Sequence, residues 1–183
     1  MLVFVVSDTH DRLDKVMKFV DILKSESRTG YVIHLGDVVS PFTLRALVEN
    51  MPSTFKFKLI LGNNDGDVLL LSKVSAELSE QPEEAELCGL KVLMLHGFKN
   101  RELTEKIVEG LACGGSYDVI LYGHTHVYRL NKVCSSYIVN PGSLAGYLAS
   151  TSTYARIDCR DLTLSIVDLE TGNLLAAAQI EKQ

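Results

Sequence analysis

A chain of 183 residues, 46% hydrophobic and 22% charged, is long enough for one domain with a core and ordinary in composition for a globular protein. Its net charge of −5 argues against a strong nucleic-acid surface, which needs clustered Lys and Arg. Its apolar runs fall far short of the ~18 residues a membrane span requires. The first residues, Met1-Leu2-Val3-Phe4-Val5-Val6, read as a strand, without the basic region or cleavage site of a signal peptide. The expectation is one cytoplasmic domain over residues 1–183 with no membrane partner. Cys88, Cys113, Cys134 and Cys159 are widely spaced, form no Cys-x-x-Cys pair, and read as reduced, partly buried thiols.

In chain order, the apolar run Leu2–Val6 predicts a buried strand that ends at Asp8-Thr9-His10. Leu13, Val16, Met17, Val20 and Leu23 recur at helical spacing, so a helix over Leu13–Leu23 should lay this face on a sheet. A strand over Tyr31–Leu35 follows Gly30 and closes at Gly36-Asp37. Pro41 behind the capping candidate Ser40 suits the first turn of a helix over Pro41–Glu49. Strand Phe57–Leu61 closes at Gly62-Asn63, and a helix over Val68–Leu78 follows. This β-α-β-α-β-α order implies parallel pairing with right-handed crossovers.

The pattern then changes. Ala85–Leu87 and Lys91–Leu95 flank Cys88-Gly89-Leu90 as a hairpin, and the second strand closes at His96-Gly97. Glu83-Glu84-Ala85-Glu86 reads as a solvated loop and strand start. A helix over Leu103–Ala112 ends at Gly114-Gly115. Strand Val119–Tyr122 closes at Gly123-His124-Thr125-His126. Strands are then expected over Val127–Val133, Tyr137–Asn140, Thr153–Asp158, Thr163–Leu169 and Leu174–Ile180. The mixed first part and antiparallel second part suggest an α/β fold of two sheets packed face to face, with helices outside.

Seven metal-type side chains thus close five apolar runs: Asp8, His10, Asp37, Asn63, His96, His124 and His126. If those strands share one sheet, their C-terminal ends share an edge, where α/β folds bind ligands. Taken singly, each residue has a plain structural use. Asp8 could cap a helix, Asp37 and Asn63-Asn64-Asp65-Gly66 could form turns, and His96 could be a satisfied strand-end histidine. His34 lies inside a strand and reads as structural. Arg12, Lys99 and Arg101 stand near the motifs but read first as solvated surface charge. Jointly the pattern points to metal. Asp and His suit zinc, manganese, iron or nickel, and seven ligands exceed one closed zinc site. Two ions held about 3.5–4 Å apart can supply hydroxide and clamp a phosphoryl oxygen, and metal-assisted amide hydrolysis uses similar parts, so these residues alone leave the substrate open.

The five motifs, Ser7-Asp8-Thr9-His10, Leu35-Gly36-Asp37-Val38, Gly62-Asn63-Asn64-Asp65, Leu95-His96-Gly97 and Tyr122-Gly123-His124-Thr125-His126, resemble in kind and order those of the calcineurin-like metallophosphoesterase superfamily. The compact length and Asn140-Pro141-Gly142-Ser143 resemble its small bacterial and archaeal phosphodiesterase branch. The resemblance implies a four-layer α-β-β-α sandwich of two mixed sheets flanked by helices. It implies one metal on Asp8, His10 and His126, a second on Asn63, His96 and His124, and Asp37 bridging them. Manganese is the first expectation, with nickel, zinc, iron or cobalt as alternatives. The attacking group it implies is a metal-bridging hydroxide, and the substrate a small phosphate ester. Homo-oligomers are compatible with it.

Three departures from the family pattern stand out. Asn64 replaces the His that many relatives use toward the leaving group, and it can donate a hydrogen bond but cannot deliver a proton near pH 7. Asn64 and Asp65 remain the catalytic candidates of that motif. Phe98 stands where H-G-H is common, and Leu144-Ala145-Gly146-Tyr147 replaces Ser-x-Pro-Arg. The resemblance leaves two other functions in view: a phosphomonoesterase or nucleotide-directed hydrolase, and a non-catalytic scaffold, the role of one eukaryotic relative whose metal site is degraded.

Overall fold

Five consecutive apolar residues form β1 (Leu2–Val6) and all five are buried. A computed structural model describes residues 1–75 and 77–180. After β1 come α1 (Leu13–Ser25), β2 (Gly30–His34), α2 (Pro41–Asn50), β3 (Phe55–Ile60), α3 (Val68–Val74) and β4 (Leu78–Ser79). The chain continues with β5 (Glu83–Leu87), β6 (Leu90–Leu95), α4 (Arg101–Cys113), β7 (Val119–Tyr122), β8 (Arg129–Val133) and β9 (Ser136–Asn140). It closes with β10 (Thr153–Asp158), β11 (Thr163–Asp168) and β12 (Leu174–Gln179).

The two-residue period of a strand sorts the side chains into layers. Leu2, Phe4 and Val6 pack with Val16, Phe19, Val20 and Leu23 of α1. Val3 and Val5 face the other way, into a core shared with Val92 and Met94 of β6 and Val119 and Leu121 of β7. The opposite face of those two strands sends Leu93, Leu95, Ile120 and Tyr122 against Val108 and Ala112 of α4. Helices, sheet, sheet and helix therefore stack as the expected four layers. Each fully buried large side chain contributes about 1.5–3 kcal/mol, so β1 ties the first two layers firmly together.

One sheet has the order β12-β11-β10-β1-β2-β3-β4, and the other β5-β6-β7-β9-β8. The five motif strands are therefore not neighbours in one sheet. β1, β2 and β3 lie parallel in the first, with Val6 level with His34 and His34 level with Leu59. β6 and β7 lie parallel in the second, with Leu95 level with Tyr122. Face-to-face packing brings the two sets of C-terminal ends to one edge of the sandwich. The antiparallel strands β10 to β12 extend the first sheet rather than forming one of their own.

Several expectations change. Leu13 is exposed, and Phe19 takes its place in the α1 face. The helix expected to Leu78 ends at Val74, because Leu78–Ser79 pairs with the open edge of β3 and supplies its backbone partners. Ala76, inside that expected helix, lies outside the described residues, as do residues 181–183. Glu83 to Glu86 form strand, with Glu83 accepting from Lys58 Nζ at 2.7 Å.

The cysteines are not free thiols. Cys88 pairs with Cys159 and Cys113 with Cys134, with Cα–Cα distances of 5.0 and 5.1 Å. The first pair joins the β5–β6 turn to the β10–β11 turn, and the second joins the end of α4 to the β8–β9 turn. Sheet packing makes these neighbours of residues 71 and 21 apart in sequence. The pairing removes the free-thiol argument for a cytoplasmic location. Among the described residues, no helix is long and apolar enough to cross a membrane.

Candidate metal centre

An Asp-x-His or His-x-His pair can aim both side chains at one point only if the chain leaves its strand. It does so here. Asp8, His10, Asp37, His124 and His126 have φ of 55°, 42°, 59°, 66° and 59°, in the left-handed region. Such backbone costs about 1–3 kcal/mol per residue and persists where surroundings impose it. The N–H groups of Thr9 and His10 both donate to the Asp37 carbonyl, at 3.0 and 3.1 Å, and that of Asp8 donates to the Gly36 carbonyl at 3.0 Å. The first two motif loops thus hold each other. Gly62 faces the second loop so closely that a Cβ there would collide with the Asp37 carboxylate and main-chain nitrogen.

All seven expected ligands converge. His126 Nε2 lies 3.2 Å from Asp8 Oδ1 and 3.3 Å from His10 Nε2. His10 Nε2 is 3.8 Å from both Asp8 Oδ1 and Asp37 Oδ2. His96 Nε2 lies 3.4 Å from Asp37 Oδ1, 3.1 Å from Asn63 Oδ1 and 3.2 Å from His124 Nδ1. Asp8, Asp37, His96 and His126 are buried, His10 and His124 half-buried, and Asn63 exposed. The buried groups make a floor, and solvent reaches the centre from the Asn63 side.

Neutral imidazole has one N–H and one lone pair. His96 Nδ1 sits 2.7 Å from the Leu35 carbonyl, and His126 Nδ1 2.7 Å from the Tyr147 carbonyl. Carbonyls only accept, so both protons reside on Nδ1 and both Nε2 lone pairs point inward. They meet carboxylate and amide oxygens that are also acceptors. Asp8 Oδ1 is buried with no hydrogen-bond partner, while its Oδ2 accepts from the His124 N–H at 3.0 Å. With both imidazoles neutral, no hydrogen lies between these converging lone pairs; they call for a cation, proton or metal ion, and the donor set fits a metal. Asp8, His10 and His126 form one group that could hold an ion, and Asp8, Asp37 and His96 another, the ligand atoms of each within 4.8 Å of one another.

The same crowding sets the proton affinities. Burial opposes charge on His96 and His126, but Asp37 beside the first and Asp8 beside the second outweigh it, and both imidazoles hold protons above the usual histidine range. Burial and the neighbouring His96 push His124 down. Burial raises the Asp8 carboxyl, yet His10 and His126 draw it far below the usual carboxylate range. Divalent ions bound here would compete with those protons.

The candidates beside the ligands act on the loops. Asn64 donates from its main-chain N to Asp37 Oδ1 at 2.8 Å and from Nδ2 to Asp37 Oδ2 at 2.6 Å. The buried Asp65 carboxylate accepts from the N–H of Asp37, Val39 and Gly62 at 2.9, 2.8 and 2.8 Å. His34 is structural, as expected: its Nδ1 accepts from the Gly36 N–H at 3.2 Å, so Nε2 carries the proton toward Thr9 Oγ1 at 2.6 Å. Phe98 packs against the core beside α4. Arg12 and Arg101 bind Asp14 and Glu105 at 2.8 Å, as surface charge does.

The loop-holding role of residues with no metal-type chemistry escaped the sequence reading, and of these only Gln81 stood in no motif. Gln81 Oε1 accepts from the N–H of His96 and Gly97 at 2.8 and 2.9 Å. Nothing in its sequence surroundings marks it. Asn140 Nδ2 donates to the Gly123 carbonyl at 2.9 Å and Ser143 Oγ to the Asp8 carbonyl at 2.9 Å. The Asn140-Pro141-Gly142-Ser143 turn thus positions the first and last motifs.

The sequence profile of the calcineurin-like phosphoesterase superfamily domain matches residues 1–162. This chain belongs to the calcineurin-like phosphoesterase superfamily. It is 32% identical over 166 residues to a phosphodiesterase of Methanocaldococcus jannaschii, a match covering 86% of this chain and 93% of that one. A probable metallophosphoesterase of Mycoplasma genitalium is 26% identical over 146 residues, 78% of this chain and 76% of that one. Among solved structures, a novel archaeal phosphodiesterase superposes with a TM-score of 0.79 at 29% identity, covering 92% of this chain and 99% of that one. Vps29 of Entamoeba histolytica, solved in complex with Zn²⁺, shares the fold at a TM-score of 0.70 and 21% identity, covering 99% and 100%. The superfamily is one of phosphoester hydrolases.

Proposed function

We propose that residues 1–183 act as one domain, a dinuclear metal-dependent phosphodiesterase. The observation that carries this is the convergence of the His96 and His126 Nε2 atoms on Asp37 and on Asp8, whose buried Oδ1 has no hydrogen-bond partner, while both Nδ1 atoms face main-chain carbonyls. Asp8, His10 and His126 would hold one ion, Asn63, His96 and His124 the second, and Asp37 both. Bound there, two divalent ions supply Lewis acidity toward phosphoryl oxygens and a hydroxide nucleophile at neutral pH.

The chain's own residues set the rest. Asp8 and Asp37 are the two carboxylates of the set, against four positive charges on two ions. The filled centre keeps a positive surplus that attracts an anionic ester. Asn63 contributes an amide oxygen without adding negative charge. Asn64 keeps both Asp37 oxygens oriented and supplies no proton to a departing alkoxide, so esters with acidic leaving groups are favoured. The phosphodiesterase relative at 32% identity supports a diester as substrate.

The test uses chelator-stripped protein reloaded with manganese and assayed on bis-p-nitrophenyl phosphate and p-nitrophenyl phosphate in parallel. The expected result is turnover that needs metal and prefers the diester, with two ions per chain by elemental analysis. Asp37→Asn should lower both metal content and turnover. Metal-independent turnover would overturn the metal-dependent mechanism, and no turnover with two ions bound would leave the scaffold reading in its place.

A further inference from the structure

After Ser143 the chain continues as Leu144-Ala145-Gly146-Tyr147-Leu148. This segment is tied to the centre through its main chain. The N–H of Leu144 donates to the Ser7 carbonyl at 2.9 Å and that of Ala145 to the Asp8 carbonyl at 3.3 Å. The Tyr147 carbonyl accepts from His126 Nδ1 at 2.7 Å. Leu144 and Ala145 are buried, and Gly146 and Leu148 turn the chain with φ of 68° and 55°.

The side chains beyond that anchor face solvent. Tyr147 is 57% exposed and Leu148 74%. An apolar ring left in water on a well-anchored turn forgoes burial that a core position would provide. Its position is specific. The Tyr147 ring centroid lies 5.9 Å from that of His10 and 6.3 Å from that of His126, at interplanar angles of 61° and 59°. His10, Arg12 and Tyr147 line a recess of about 170 Å³ that opens beside the centre. Arg12 is committed to Asp14 by two hydrogen bonds of 2.9 and 2.8 Å, so Tyr147 is the side chain of this wall with a free face.

We propose that Tyr147 is a specificity-determining residue, whose ring takes a flat aromatic substituent of the phosphorus compound bound at the adjacent centre. A phosphorus held beside His10 and His126 leaves its substituents one ring-width from Tyr147, the separation at which aromatic groups stack or meet edge to face. The turn that presents the ring also holds the ligand His126, so ring and phosphorus keep a fixed relation. Small alkyl esters gain nothing from the wall, and aryl or nucleobase esters do. The inference rests on the proposed function for a metal centre that binds phosphorus compounds, and not on their turnover.

The chain contains no tryptophan, so Tyr147→Trp carries a single indole at the position in question. The experiment titrates zinc-loaded Tyr147→Trp with phenylphosphonate and with methylphosphonate, following indole emission. A saturable change with phenylphosphonate and little with methylphosphonate is expected. Equal responses to the two, or none to either, would overturn the assignment. Calorimetry on the zinc-loaded native chain and Tyr147→Leu supplies the second arm. The substitution should weaken phenylphosphonate about tenfold or more, as loss of an aromatic stack does, and leave methylphosphonate unchanged. Equal weakening of both would mean that Tyr147 serves only to hold the turn. Aromatic selectivity in a protein that hydrolyses no ester would remove the hydrolase reading and keep this one. Turnover without that selectivity would do the reverse.

Discussion

The Asp37 main-chain N–H donates to the Asp65 carboxylate at 2.9 Å, so an acid outside the ligand set holds the loop of one inside it. The same carboxylate receives the N–H groups of Val39 and Gly62, at 2.8 Å each. It therefore joins the loop after β2 to the loop after β3. Asp65→Ala strands three donors in a largely buried place. An unmet buried donor costs about 1–3 kcal/mol. The expected loss is about 3 kcal/mol or more by urea unfolding, with weaker metal retention. Stability within about 0.5 kcal/mol of the native chain, the range of ordinary surface substitutions, would contradict the clamp.

Asn64 holds both oxygens of Asp37 and offers no proton. Asn64→His introduces a group that titrates near neutrality. The rate on diesters with poor leaving groups should rise by about 10-fold or more, toward the 10²–10⁴ of a well-placed general acid. Esters of p-nitrophenol should change little. A series of phenols of graded acidity reads this as a shallower dependence of rate on leaving-group pKa. A uniform change across the series would count against the proton-delivery argument.

His34 is fully buried between Thr9 and Gly36, and burial pushes it down to about 4 from 6.5, against the pull of Asp65, Asp8 and Asp37. The unfolded chain binds this proton near 6.5 while the folded chain refuses it until about 4. Its contribution is therefore present above about 6.5 and declines as pH falls toward 4, by about 3 kcal/mol in all. Metal-free protein unfolded with urea at several pH values measures this. His34→Gln, without that titration, should be less stable than the native chain at pH 7, and the gap should close by pH 4. A gap constant across that range would show that His34 does not titrate as described.

The two disulfides sit at the ends of the strands opposite the motifs. By chain entropy, closing loops of 71 and 21 residues contributes about 4 and 3 kcal/mol respectively. Reduction should lower Tm markedly while metal content and turnover at 25 °C hold. Cys88→Ser with Cys159→Ser should account for the larger part of the shift. A melting temperature indifferent to reductant would mean that the pairs do not form in solution.

The element pattern and the ligand inventory were legible along the chain because both are local. A buried strand writes itself as a short apolar run, a helix face as a 3.6-residue period, and Ser40-Pro41 as a helix start, with the Ser40 hydroxyl accepting from the Phe42 N–H at 3.1 Å. The ligands stood out because Asp, Asn and His gather where apolar runs stop. Phe19 shows the limit of that reading: the register of α1 against the sheet, not the spacing alone, decided that it and not Leu13 is buried.

What the sequence determined by itself was therefore which residues stand at strand ends and what chemistry they carry. Tertiary structure alone decided that these ends come from two sheets, that Gln81, Asn140, Ser143 and Asp65 hold the loops between them, and that four distant cysteines pair. The reason is physical. Side-chain type and period follow from a few neighbouring residues, whereas hydrogen bonds and disulfides between residues tens of positions apart exist only once burial has packed one sheet on the other and set their register.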